Sequence, residues 1–206
     1  MTLSFQPYPY DVGNLGEWLV DALPVVEEQT PLRSLVMGDQ LELIGPFPAY
    51  YLDARDFLTG ELDRSTRTGW RALVLAFESP AAVVDITVSD AGEPRFAARG
   101  KNAAIALEQA LDLVGALDLK GDYEVRWLSM ADIYVTAVWL SGARNRFVPT
   151  RMGGAVRVDR QLMSQRQLRT IVARLVKLSS STQSAARSTK GRDAAPSSPR
   201  SGLPDE

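Results

Sequence analysis

Neither cysteine nor histidine occurs anywhere in the chain. Without cysteine there is no disulfide, zinc ribbon, iron–sulfur cluster or thiol nucleophile. Without histidine the usual proton shuttle at neutral pH and the commonest transition-metal ligand are missing. The two absences together exclude Ser-His-Asp and Cys-His catalysis. Any catalytic work would fall to carboxylates, lysine, tyrosine, hydroxyls or a cation held by oxygen. Long apolar runs are also lacking, and none approaches the roughly 20 residues that span a bilayer. The first ten residues, Met1 to Tyr10, carry neither the basic nor the apolar stretch of a secretory leader, so a cytoplasmic location is expected.

What is present is an ordinary globular composition, 45% hydrophobic and 23% charged. It supports a single α+β domain over residues 1–178, large enough to bury about 70% of its unfolded surface without staples. Residues 179–206 abandon periodicity for Ser, Thr, Ala, Pro and Gly. They lack the apolar bulk to offset ordering entropy and read as a disordered Ser-rich tail. Serines there, including Ser198 before Pro199, are candidate phosphate acceptors beside a basic helix.

Along the chain, Asn14 and Glu17 have capping-box spacing. Leu15, Trp18, Leu19, Ala22, Leu23 and Val26 then share one helical face, with a kink or stop expected at Pro24. Leu41 to Ile44 is a short strand candidate closed by a stiff turn, Gly45 to Pro48. The stretch from Tyr50 to Leu62 fits a helical turn or irregular structure. Trp70 to Phe77 is almost wholly apolar, the mark of a strand covered on both faces. Val83 to Val88 and Pro94 to Ala98 flank turn residues and read as a hairpin. A helix capped by Asn102 is expected to run to about Leu117. Strands are expected at Tyr123 to Ser129, Ile133 to Ser141 and Arg146 to Val148, with a last helix over residues 161–178 whose apolar face holds Leu168, Ile171, Val172, Leu175, Val176 and Leu178. The pattern predicts a mainly antiparallel sheet with helices packed on it, and the two nearly all-apolar strands, 70–77 and 133–140, as inner members of it.

Charge is divided along the chain. Residues 1–63 hold 11 acidic and 2 basic side chains, a net of −9, whereas residues 142–178 hold 9 basic and 1 acidic, a net of +8. Two consequences are open: the poles neutralise one another within the fold, or the basic amphipathic helix meets an anionic partner. That partner would be an acidic protein or, peripherally, an anionic membrane. A nucleic-acid partner is not expected, because the chain has no recognisable reading motif and a net charge of −2.

Individual candidates for chemistry are weak. Asp53 and Asp56 share a face if helical, but such pairs are common on solvated helices. Asp118 and Asp122 bracket Lys120-Gly121 in a turn-forming context. Met152-Gly153-Gly154 lacks the Gly-x-x-x-x-Gly-Lys pattern of a phosphate loop, and no Ser-x-x-Lys occurs. Trp70, Trp127, Trp139, Tyr134 and Phe77 are expected in the core. No catalytic, cofactor-binding or metal-binding residue is assigned. The sequence points instead to a non-catalytic interaction or assembly module, binding a protein partner or itself. Tyr8, Tyr10, Phe47, Tyr50 and Tyr51 are candidate aromatic anchors, and Arg166, Arg169 and Arg174 candidate cationic contacts. The alternatives are a small-ligand binder or histidine-free enzyme with a site between sheet and helix, and a binder of anionic surfaces through the C-terminal helix.

Overall fold

A computed structural model describes residues 2–4, 41–89, 94–153 and 161–190. Among these, nine strands form one mixed, mostly antiparallel sheet: β1 Thr2–Ser4, β2 Leu41–Tyr51, β3 Thr66–Ala76, β4 Ser79–Val88, β5 Pro94–Arg99, β6 Asp122–Met130, β7 Val135–Gly142, β8 Arg146–Arg151 and β9 Met163–Ser164. The order across the sheet is β5-β4-β3-β2-β6-β7-β8-β9. Both parallel pairings in it are made by β6. One edge of β6 receives Thr2–Ser4 of β1 opposite Asp122–Glu124 and Ala49–Tyr51 of β2 opposite Trp127–Ser129.

Helices α1 Ala54–Thr59, α2 Lys101–Ala116 and α3 Gln165–Lys190 pack on this sheet. On one face, Ala104, Leu107, Ala110 and Val114 of α2 meet Leu73, Val83, Val125, Trp127, Val138 and Leu140. On the other, Phe57 of α1 and Leu168 and Val172 of α3 meet Leu128, Val135, Ala137, Trp139 and Phe147. Both continuous apolar runs are therefore inner strands: β7 is covered on both faces by these helices, and β3 is buried along its length with α2 over one face. Strand β6 instead alternates: Tyr123, Val125 and Trp127 enter the α2 side, while Glu124 and Arg126 sit on the other side ahead of Leu128 and Met130.

Several local expectations are corrected. Gly45 to Pro48 is no turn: β2 runs straight through it, with a cis Gly45-Pro46 bond and a register shift between Ile44 and Phe47. Prolines 46 and 48 lie before the stretch that pairs with β6, so the donors they lack are not demanded by a neighbour on that side. Asn102 is not the cap of α2; Gly100 occupies that position without a side-chain bond. The last helix starts at Gln165 and continues to Lys190, twelve residues into the stretch expected to be tail, while residues 191–206 lie outside the described ones. The expected helix near residues 15–28 also lies outside them. Phe77 belongs to the turn and not to the strand: Phe77 and Glu78 have φ of 51° and 59° between the paired residues Ala76 and Ser79, a two-residue turn of the I′ kind.

That turn is built from residues poorly suited to it, since left-handed backbone costs a residue with a Cβ about 1–2 kcal/mol. Replacing Phe77→Asn together with Glu78→Gly is expected to stabilise the fold by about 1–2 kcal/mol. A thermal melt should show Tm rising by roughly 2–8 °C for a chain of this size.

Candidate interaction surface

The basic helix α3 is fixed at its start by a reciprocal cap. The Ser164 hydroxyl accepts from the Gln167 backbone N–H at 3.3 Å, and Gln167 Oε1 accepts from the Ser164 backbone N–H at 2.8 Å. This is Ser-x-x-Gln capping-box chemistry, and the sequence carries its signature just inside the start expected for the helix. Leu168 and Val172 are fully buried, and Ile171, Leu175 and Val176 pack partly against the same core. Gly153 sits where an added Cβ would come within 2.8 Å of Leu175 Cδ2, so the Met152-Gly153 segment serves close packing against α3.

The three candidate arginines separate by role. Arg169 is a strut: it donates to the carbonyl of Leu58, in the last turn of α1, where backbone acceptors lack helical partners. Arg166 and Arg174 are exposed, as is Lys177. No described ion pair includes any of these three cations. Within the described residues, then, the acidic pole of the sequence does not neutralise them. Nearby carboxylates are engaged elsewhere, Asp56 and Glu61 both with Arg64 at 3.1 and 2.8 Å.

The aromatic candidates also separate. Phe47 is withdrawn into the α2-side core at 2% exposure, because the segment with a turn's composition is a strand. Tyr50 is half-buried, edge-on to Trp139 at 5.7 Å and under the Arg126 guanidinium at 5.0 Å. Tyr51 is half-buried beside Asp53 and Asp132, and its phenol is pushed up by burial first and then by those two carboxylates. Tyr8 and Tyr10 lie outside the described residues. Trp70, Trp127 and Trp139 enter the core as expected, but Tyr134 is 62% exposed and Phe77 57%. Tyr134 ends the 3-10 turn Ala131–Ile133, which packs under α3, in left-handed backbone. The Arg151 guanidinium lies 5.6 Å from its ring centroid. Leu178, on α3, is 63% exposed. Tyr134 and Leu178 were not singled out as contacts by the sequence, whose periodicity assigns both to buried faces.

The carboxylates near α1 have structural work. Asp53 caps the helix by accepting from the Arg55 N–H at 2.8 Å, and Asp132 Oδ2 accepts from the Ala54 N–H at 3.4 Å. Burial, and secondarily the charge of Asp53, raises the Asp132 carboxyl above the usual aspartate value, against the pull of backbone donors.

One charged group escaped notice in the sequence although its signal was there, a single arginine inside the apolar run from Trp70 to Ala76. Arg71 is 6% exposed, bonded through Nε to Asp85 at 2.5 Å, and stacked 4.2 Å over the Trp127 ring. Asp85 also accepts from Arg99 at 2.8 Å. Burial pushes the Arg71 guanidinium down to about 10, with Asp85 acting in the opposite direction. A second pair, Arg126 and Glu124 at 2.5 Å, lies on the opposite face of the sheet. In both places the charges are matched to one another.

No protein-family model, curated protein or solved structure gives a significant match to the chain.

Two outcomes follow from these environments. Asp85→Ala leaves the Arg71 charge buried without its closest partner and is expected to cost about 3–5 kcal/mol in urea denaturation, whereas Arg71→Met with Asp85→Leu costs far less. For Asp132 the folded-state pKa lies above the unfolded one, so the native chain binds the extra proton and stability falls as pH rises through that window. Asp132→Asn retains an acceptor for Ala54 and should melt at or above the wild-type Tm at pH 7. That advantage should vanish in melts taken below about pH 4, where the wild-type carboxyl is neutral too.

Proposed function

We propose that this protein is a non-catalytic interaction module that binds an acidic protein partner through the outward side of α3 and the adjoining Tyr134 rim. The observation that carries this reading is that Arg166, Arg174 and Lys177 are exposed and, among the described residues, engaged with no carboxylate, while Leu168 and Val172 anchor the first half of α3 in the core. A helix of 26 residues is about 39 Å long, so its later turns reach well beyond those anchors. Exposed Leu178 and Tyr134 supply apolar contact beside the cations, the combination from which strong interface residues are drawn. The cations steer an acidic surface into place and the apolar side chains hold it.

The test compares the full chain with an Arg166→Glu/Arg174→Glu/Lys177→Glu variant, leaving the strut Arg169 untouched. Complexes are quantified by cross-linking and light scattering at low and high salt. The wild type should hold a defined protein complex that weakens at least about tenfold on charge reversal and again as salt screens the surface. A complex indifferent to both changes, or a wild type that stays monomeric and retains no protein, removes the reading. Retention by acidic vesicles alone would replace the protein partner with a membrane surface.

A further inference from the structure

Arginines held in the body of the fold are matched by oxygen. Arg71 pairs with Asp85 and Arg126 with Glu124, while Arg146 donates to the Asn145 carbonyl at 3.4 Å and Arg169 to that of Leu58. Arg151, half-buried at the end of β8, is the exception. Its Nε–H is closed off from solvent without an acceptor, and no ion pair among the described residues includes it. A guanidinium stays charged at any ordinary pH, so losing a proton cannot relieve this state. Partly desolvating a charge without a counter-charge carries a cost that an incoming carboxylate offsets.

What stands beside Arg151 is an aromatic ring and not a carboxylate. The Tyr134 ring centroid lies 5.6 Å from the guanidinium carbon, and the residue is 62% exposed in left-handed backbone at φ 55°. For a bulky side chain that backbone is unusual, and such outliers gather at binding sites. A register shift in the β7–β8 ladder pairs Thr136 with Arg151 and Ala137 with Pro149, so Thr150 is an extra residue. Extra residues of this kind re-aim the side chains next to them. The Thr150 hydroxyl donates to the Thr136 carbonyl at 3.2 Å and lies 2.9 Å from the Thr136 hydroxyl, which fixes the end of the strand. Tyr134 and Arg151 both flank α3. The turn Ala131–Ile133 packs against that helix, and a Cβ added at Gly153, just beyond Arg151, would meet Leu175 at 2.8 Å. Exposed Arg174 and Lys177 belong to the same stretch of α3.

We infer that Arg151, walled by Tyr134, takes one carboxylate of the acidic partner and is the specificity-determining contact of that surface. The inference rests on the reading of α3 as the surface for such a partner. Exposed cations steer an acidic surface into place without choosing among its carboxylates. The terminal nitrogens of a guanidinium instead fit one carboxylate with two parallel hydrogen bonds, a match that a lysine ammonium does not reproduce. The Tyr134 ring supplies apolar contact for the methylenes that carry the carboxylate.

Arg151→Lys keeps the net charge and removes the fork, which separates geometry from steering. The full chain is titrated with a fluorescein-labelled oligoglutamate peptide, with an oligoglutamine peptide as control, and binding is read by fluorescence anisotropy. The wild type should bind oligoglutamate and not oligoglutamine, and Arg151→Lys should weaken that binding by about tenfold or more. A thermal melt shows whether the variant is folded. Should it fail to fold, the wild type alone decides, because its Arg151 Nε–H resonance should shift as peptide is added. An unchanged affinity in Arg151→Lys, or an Arg151 resonance that stays in place at saturating peptide, overturns the inference. Loss of binding in Arg166→Glu/Arg174→Glu/Lys177→Glu with none in Arg151→Lys keeps α3 as the acidic-partner surface and removes the anchor. A wild type that ignores oligoglutamate overturns the anchor whether or not the protein complex sought through α3 is found.

Discussion

Burial of the sheet from both sides is the constraint on which the rest of the structure depends. Strands β3 and β7 are apolar at nearly every position, so neither tolerates a wet face, and the chain must supply cover above and below the same sheet. Helix α2 meets this demand along one face with Ala104, Leu107, Ala110 and Val114. Helices α1 and α3 share the opposite face over β6 to β8. Strand β6, by contrast, accommodates Glu124 and Arg126 because they pair with each other and the Arg126 guanidinium lies over the rings of Tyr50 and Trp139. Where a charge does enter the apolar run, at Arg71, it is matched by a carboxylate on the next strand and an aromatic ring beneath. A buried cation without those partners would be costly.

The architecture was legible because period and composition agree over long segments. Continuous apolar runs marked the inner strands, and the 3.6-residue period located α2 to within two residues at its start and one at its end. The misreadings fall where local chemistry and tertiary context conflict. Gly45-Pro-Phe-Pro48 has the composition of a turn, yet among the described residues no strand pairs with it on one side, and it remains strand. Phe77 continues the hydrophobic run by type but falls in the turn, because the pairing of Ala76 with Ser79 leaves only two residues to reverse the chain. Leu178 ends the apolar stripe on a helical wheel, but a wheel carries no information about where the underlying sheet stops.

The candidate surface was legible only in part, for a related reason. Sequence identifies a basic helix but cannot divide its cations between structural and outward roles. Arg169 is consumed by the Leu58 carbonyl because α1 ends beneath that position, a fact set by residues more than a hundred places earlier. Arg166 and Arg174, on the same helix, stay exposed. Likewise Asp53, one of a carboxylate pair in the sequence, serves to close the start of α1. It is joined there by Asp132, delivered from a distant turn between β6 and β7 that no local spacing would connect to it.

The single short parallel contact between β2 and β6 has a consequence for how the chain assembles. On one side of it, β2 to β5 follow one another as an antiparallel meander; on the other, β6 to β8 do the same. Each meander closes through neighbours in sequence, while Ala49–Tyr51 must find Trp127–Ser129 across nearly eighty residues. The three register pairs of that seam and the α2-side core both join the two meanders, and both are contacts between residues far apart in sequence. The helix that lies across both meanders therefore acts as their common clamp, tying β3 and β4 to β6, β7 and β8 through one shared core.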